Sequence, residues 1–194
     1  VGIELPNLPV ENNVLTKYHI KGAYLVYIGR IEKGKGCAEL IRFFIEFKKK
    51  HPSTLQLVMI GKSYMELVEN ADIVYTGFVD ETEKLQLLLQ STLLVMPSKF
   101  ESLSMVLLEA MYYKKPVLVN QQCEVLHQHI AASNGGFSYS GANDFNDKLN
   151  TVLQNQQQSD EMGENGYQYV QQNYSWETVL NKFNLIIADL THKQ

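Results

Sequence analysis

Pro97-Ser98-Lys99-Phe100-Glu101-Ser102-Leu103-Ser104-Met105-Val106-Leu107-Leu108-Glu109-Ala110-Met111 is the stretch that decides how this chain reads. Just before it, Leu93-Leu94-Val95-Met96 is an apolar run of strand length that stops at Pro97. Ser102 and Ser104 are both good N-caps, so a helix is expected to begin near one of them. Glu101 then falls on the loop and Glu109 about two turns into the helix. Helical side chains lean toward the N-terminus, which aims Glu109 back at that loop. In an open parallel sheet the loop lies at the carboxyl ends of the strands, where ligands bind. Two acids there call for hydroxyl donors or cations. Glutamates are common on surface helices, so the pair can also be incidental. Glu109 is the stronger member, because Leu107, Leu108, Ala110 and Met111 surround it and an idle carboxylate in that setting is costly.

Outward from this segment, apolar runs alternate with helical patterns. Tyr24-Leu25-Val26-Tyr27-Ile28, Leu55 to Ile60 and Ile73 to Thr76 read as strands that end at Gly29, Gly61 and Gly77. Pro116 to Asn120 and Gly136 to Tyr139 read as two more. Cys37 to Lys50 has helical apolar spacing, and Asp80-Glu81-Thr82-Glu83 has the form of a capping box opening a helix to about Ser91. A short helix is expected over Tyr64 to Asn70. The tail reads as helices over Asn143 to Leu153, Ser159 to Asn173 and Trp176 to Leu190, with a polar spacer at Gln154 to Gln158 and with Trp176 anchoring the last by packing. Val1 to Lys21, with Pro6, Pro9 and Asn12-Asn13, reads as loose. Such alternation predicts an α/β fold: a Rossmann-like parallel sheet with helices on both faces.

The chain has 194 residues, 45% hydrophobic and 20% charged, enough for one ordinary globular domain. A net charge of -4 offers nothing to nucleic acid or to an anionic membrane. Cys37 and Cys123 stand far apart, so no metal spacing or disulfide framework follows, a reducing compartment is the simpler reading, and a cysteine nucleophile is not expected. No apolar run reaches membrane-spanning length and no signal peptide is evident. The first residue is Val1 rather than Met, which raises the expectation of a piece of a longer protein.

Gly29-Arg30-Ile31-Glu32-Lys33-Gly34-Lys35-Gly36 places two cations, Arg30 and Lys35, between a strand end and a helix start. That suits a diphosphate and equally a solvated basic loop; it completes neither a dinucleotide fingerprint nor a P-loop. Gly77-Phe78-Val79 either lines a nucleobase pocket or forms a turn with Phe78 in the core. The five histidines, His19, His51, His127, His129 and His192, read as surface residues.

Taken in order, Gly29-Arg30, Lys35-Gly36, Gly77, Pro97-Ser98, Glu101, Glu109-Ala110-Met111 and Pro116-Val117 resemble the C-terminal, donor-binding domain of retaining glycosyltransferases with the GT-B fold, the large family four (glycosyl transferases group 1). The likeness runs from about Tyr24 to Trp176. It implies a linker or edge segment over 1–23, a nucleotide-sugar donor-binding domain over 24–175, and a C-terminal helix over 176–194 that crosses back to an N-terminal acceptor domain. By the resemblance, Arg30 and Lys35 hold the donor diphosphate and neutralise the leaving group, with Glu101 contacting the transferred sugar and Glu109 the ribose hydroxyls. Gly29, Gly77, Phe78 and Val79 line the donor site, and the amides of Ser102, Leu103 and Ser104 face phosphate and sugar. Retention of the anomeric configuration, the acceptor hydroxyl as nucleophile, no metal, and a cytoplasmic location with membrane contact only through the N-terminal domain are also implied, in polysaccharide or glycolipid biosynthesis. The implied partners are a nucleotide-sugar and that N-terminal domain.

Three departures stand out. Lys114 replaces the glycine usual before Pro116-Val117, Ser102 to Ser104 replace a commoner glycine-containing loop, and the acceptor domain is not in the sequence. The segment from Cys123 to Gly136 receives no role. A nucleotide-sugar epimerase or a phosphorylase-like enzyme would share the fold but would need added acid/base residues or a buried cofactor lysine, neither evident. A non-catalytic binding module would have no need of Arg30, Lys35, Glu101 and Glu109 together. Fold alone does not choose among these.

Overall fold

Six apolar runs become six parallel strands: β1 (Tyr24–Ile28), β2 (Gln56–Ile60), β3 (Ile73–Gly77), β4 (Leu93–Met96), β5 (Val117–Asn120) and β6 (Gly136–Tyr139). The structure is a computed structural model describing residues 1–11 and 13–191, with backbone alone for 189–191; Asn12, His192 and the end of the expected 176–194 helix segment lie outside the described residues. Strand order is β3-β2-β1-β4-β5-β6. β1, β2, β4 and β5 are buried along their whole length, as strands covered on both faces must be.

The two-residue period of β1 divides the core. Tyr24, Val26 and Ile28 join one cluster with Val58, Leu94, Leu107, Leu108, Leu126 and Val170. Leu25 and Tyr27 join the other with Leu57, Val95, Leu40, Phe44 and Phe145. Thus α3 (Glu81–Leu89), α4 (Met105–Tyr112), α5 (Glu124–Ser133) and α7 (Gln156–Tyr174) cover the first face, while α2 (Cys37–Lys50) and α6 (Ala142–Gln154) cover the second. On α2 the stripe Leu40, Ile41, Phe44, Phe47 is buried at helical spacing. Each such side chain contributes about 1.5–3 kcal/mol over remaining exposed. Lys48, Lys49 and Lys50 close its last turn, where cations suit the helix dipole.

Strand order reverses between β1 and β4. The loop after β1 leads to α2 on one face and the loop after β4 to α4 on the other, so the two loops diverge and open a crevice between them. In this topology that switch point is where ligands bind.

Several local expectations are revised. The first residues are pinned rather than loose. Ile3, Val14 and Ile20 are buried, and α1 (Asn13–Lys17) forms a short helix. Ile3 N–H donates to the Tyr174 carbonyl at 2.7 Å, and the Tyr112 and Tyr113 hydroxyls donate to the Leu5 and Pro6 carbonyls at 3.1 and 2.9 Å. Tyr64 to Asn70 is not helical: Leu67 and Val68 are exposed, so no apolar face docks, and a helix that short does not stand alone. The Gln154–Gln158 spacer shrinks to Asn155, whose side chain accepts from Gln158 N–H at 3.0 Å and caps α7. His129 is buried, not on the surface. α8 (Trp176–Thr191) carries Leu180, Phe183, Leu185, Ile186 and Ile187 exposed, and Trp176, half exposed itself, packs its indole against Gly2. None of the described helices is long and apolar enough to cross a membrane.

Candidate functional site

Three neighbouring strands run out in glycine at the same end of the sheet. Gly29 N–H donates to the Ile60 carbonyl and Gly61 N–H to the Gly77 carbonyl, both at 2.9 Å, so the ladder continues into the loops. Gly36 brings the two sides of the crevice together. Its φ is +75°, and a Cβ there would sit 2.9 Å from the Pro97 carbonyl carbon and closer still to its oxygen. Only glycine fits. Lys35-Gly36 and Pro97-Ser98, far apart in sequence, therefore meet backbone to backbone, and Ser98 Oγ donates to the Lys35 carbonyl at 3.5 Å.

Beneath the loop after β1, the Tyr27 hydroxyl donates to the Arg30 carbonyl at 2.7 Å, with Cys37 Sγ 3.8 Å from the same oxygen. Burial pushes the Cys37 thiol up, which agrees with a packed thiol and not a nucleophile. With its carbonyl held from below, Arg30 projects a largely exposed guanidinium 3.3 Å from Glu32. Lys35 Nζ lies 2.8 Å from Glu101 Oε1.

On the opposite loop, Ser104 caps α4: its Oγ accepts from Leu107 N–H at 3.4 Å, and its φ is +67°. Lys114 has φ +55°. Ser104 and Lys114 thus both hold left-handed backbone, at a cost of roughly 1–2 kcal/mol each. Ser102 is exposed beside Glu101, whereas Leu103 packs its side chain against the core. Glu109 sits five residues into α4, little more than one turn and not two, and is 8% exposed. Its Oε2 is 2.9 Å from Lys84 Nζ, which also reaches Glu81 Oε1 at 2.7 Å.

Two adjoining pockets result, sharing Ile28, Gly29 and Arg30. One, about 370 Å³, is mostly apolar, walled by Ile60, Tyr64, Phe78 and Val79 with Lys62 and Lys84 at its edge. Phe78 is 88% exposed, which removes the reading that placed it in the core. The other, about 270 Å³, is polar, with Lys35, Ser98, Glu101 and Ser104. Gly77, at φ +71°, turns the chain from β3 toward Phe78. Gly61, Lys62, Tyr64 and Lys84 join the pocket without a site role expected from the sequence. Gly61 was legible as a third strand-ending glycine; Lys84 was legible only as a cation in a helix first turn, where the dipole disfavours it.

Helix α5, which had no role, places His129 under this loop. Its Nδ1 lies 3.0 Å from the Tyr169 hydroxyl, and the ring faces the Leu103 carbonyl. Burial lowers its pKa, opposed by that carbonyl. Among the described residues no three His, Cys, Asp or Glu side chains cluster as metal ligands.

The profile of the family described as Glycosyl transferases group 1 matches residues 16–169. The chain is 23% identical over 210 residues to an alpha-1,3/1,6-mannosyltransferase, ALG2, of Dictyostelium discoideum, covering 95% of this chain and 50% of that protein. It is 23% identical over 209 residues to the capsular polysaccharide biosynthesis glycosyltransferase CapM of Staphylococcus aureus, covering 97% and 54%. The chain therefore spans about half the length of these curated relatives. Among solved structures, the C-terminal domain of a glycosyl transferase group 1 family protein (LpcC) from Francisella tularensis superposes with a TM-score of 0.70 at 21% identity, over 85% of this chain and 93% of that one. Anabaena Alr3699/HepE in complex with UDP and glucose superposes at 0.74 and 16% identity, over 92% of this chain and 52% of that one.

Proposed function

The chain belongs to the glycosyl transferases group 1 family, and from that premise we propose that it is the donor-binding half of a retaining, nucleotide-sugar-dependent glycosyltransferase. The carrying observation is the pair of adjoining pockets at the switch point, one apolar and one polar, joined at Gly29-Arg30. A nucleoside diphosphate sugar has the same order of chemistry: an apolar base, then phosphates, then hydroxyls.

The nucleobase enters between Phe78, Tyr64 and Val79. The diphosphate lies across Gly29, within reach of Arg30 and Lys35. In the free protein each cation rests on a carboxylate, Arg30 on Glu32 and Lys35 on Glu101. Donor phosphate replaces these partners, and Lys35 leaves Glu101 free to accept hydrogen bonds from the sugar. As the glycosidic bond to the diphosphate breaks, Arg30, Lys35 and the amides at the start of α4 meet the developing negative charge. These charges take the place that a divalent metal holds in other transferases, so metal-independent binding is expected. Glu109 accepts the ribose hydroxyls.

The acceptor hydroxyl attacks from an N-terminal domain of the same protein, its proton passing to an oxygen of the departing diphosphate, and the exposed apolar face of α8 packs on that domain. Likeness to a separately solved C-terminal domain, nearly end to end, supports this division. The capsular relative supports an acceptor in surface polysaccharide synthesis. Alone, the chain binds donor but transfers little, because transfer needs an acceptor held close.

The test is calorimetry with UDP, GDP, ADP, CMP and their sugar conjugates in EDTA. Binding of one diphosphate and its conjugate supports the reading. Binding of none, by the chain alone or with the N-terminal domain added, overturns it.

A further inference from the structure

We propose that Lys84 is the positioning residue for Glu109, holding one carboxylate oxygen so that the other accepts the ribose; this rests on the donor-site reading above.

Glu109 lies in an apolar stretch of α4, between Leu108 and Ala110, which are fully buried. A buried carboxylate costs several kcal/mol unless it is paired. Lys84, from α3, is the partner: its ammonium is 2.9 Å from Glu109 Oε2 and its side chain is 15% exposed. Among the described residues the hydrogen bond to the Glu109 carboxylate falls on Oε2, so one oxygen is held and the other is left for a ligand. Lys84 itself lines the apolar pocket with Val79 and Phe78, so the residue that holds the carboxylate also borders that pocket.

Its position on α3 argues the same way. Asp80 caps the helix, accepting from Glu83 N–H at 2.9 Å, and Lys84 follows in the first turn. A cation there opposes the helix dipole. Burial also works against its charge, yet the hydrogen bonds to Glu81 and Glu109 outweigh burial and keep its pKa raised. Glu81 anchors the ammonium from the solvent side at 2.7 Å, which fixes its direction toward Glu109.

The test uses the full chain and three pairs of probes: UDP, GDP and ADP, each beside its 2′,3′-dideoxy counterpart. Wild type is expected to prefer at least one ribonucleotide over its dideoxy form by about tenfold or more, the worth of a hydrogen bond to a charged group. In Lys84→Met that preference collapses toward one while dideoxy affinity stays within about twofold. Lys84→Arg keeps the preference, Glu109→Gln loses it, and Lys84→Met adds no further loss of preference in the Glu109→Gln background. Retention of the preference in Lys84→Met overturns the inference. So does equal weakening of both probes, which would assign Lys84 to phosphate, base or fold. Wild type that binds a diphosphate without preferring the ribose form overturns the Glu109 assignment, and wild type that binds no probe, alone or with the N-terminal domain added, overturns the donor site itself; either outcome removes the inference as well.

Discussion

Lys35 Nζ lies 2.8 Å from Glu101 Oε1, joining the loop after β1 to the loop after β4 across the mouth of the crevice. The lysine side chain is 25% exposed and the glutamate 16%, so the pair is neither sealed in the core nor freely solvated. A phosphate can reach the ammonium without unfolding anything. Lys35→Ala and Arg30→Ala are each expected to weaken nucleoside diphosphate binding by about 1.5–3 kcal/mol, roughly 10- to 150-fold. Calorimetry checks this. Unchanged affinity in both variants removes the phosphate assignment.

The two glutamates should divide their work. Glu109→Ala is expected to weaken nucleotide and nucleotide-sugar alike, because the ribose is common to both. Glu101→Ala should mainly affect the sugar-bearing ligand. Measured side by side against the diphosphate and its conjugate, identical profiles for the two variants would show that no such division exists.

Gly36→Ala strikes the Pro97 carbonyl and forces a non-glycine residue to φ +75°. A loss of stability of about 1–3 kcal/mol or more is expected from the strained backbone, with the collision added. Urea denaturation gives the answer: a lower midpoint at unchanged slope is the expected result, and a midpoint like that of wild type would mean the two loops do not touch.

His129 should make stability fall in mild acid. Burial lowers its pKa in the folded state below the ordinary value near 6.5. Below about pH 6.5 the unfolded chain takes up a proton that the folded protein resists, so this contribution is fully present above that pH and lost progressively as pH falls below it through the lowered folded-state pKa. His129→Gln should therefore lose less stability than wild type as pH falls below about 6.5. Parallel urea titrations at several pH values would expose a contrary result as equal slopes.

Much of the fold was legible because its signals are local. β1 and β4 are continuous apolar runs bounded by Gly29 and Pro97, and Asp80 sits where an N-cap should. Part of that local signal misled. Glu83 has the capping-box spacing, but its carboxylate pairs with Lys17 and accepts from the Tyr18 hydroxyl at 3.0 Å instead of reaching back to Asp80. Tyr64 to Asn70 lacked a core to dock on, and the first residues acquired anchors from tyrosines and Gln86 far along the chain.

The order of residues alone specifies the strand and helix alternation, the parallel class of the sheet, and the presence of cations and acids at strand ends. Period, propensity and turn chemistry act over a few residues, so these follow from neighbours along the chain. Tertiary structure alone decided that Lys35 meets Glu101, that Lys84 meets Glu109, that Phe78 faces solvent, and that His129 lies under the Leu103 loop. Those pairings depend on how the crossover from β3 to β4 brings separate loops to one end of the sheet, and a side chain's partner across that gap leaves no mark in the residues beside it.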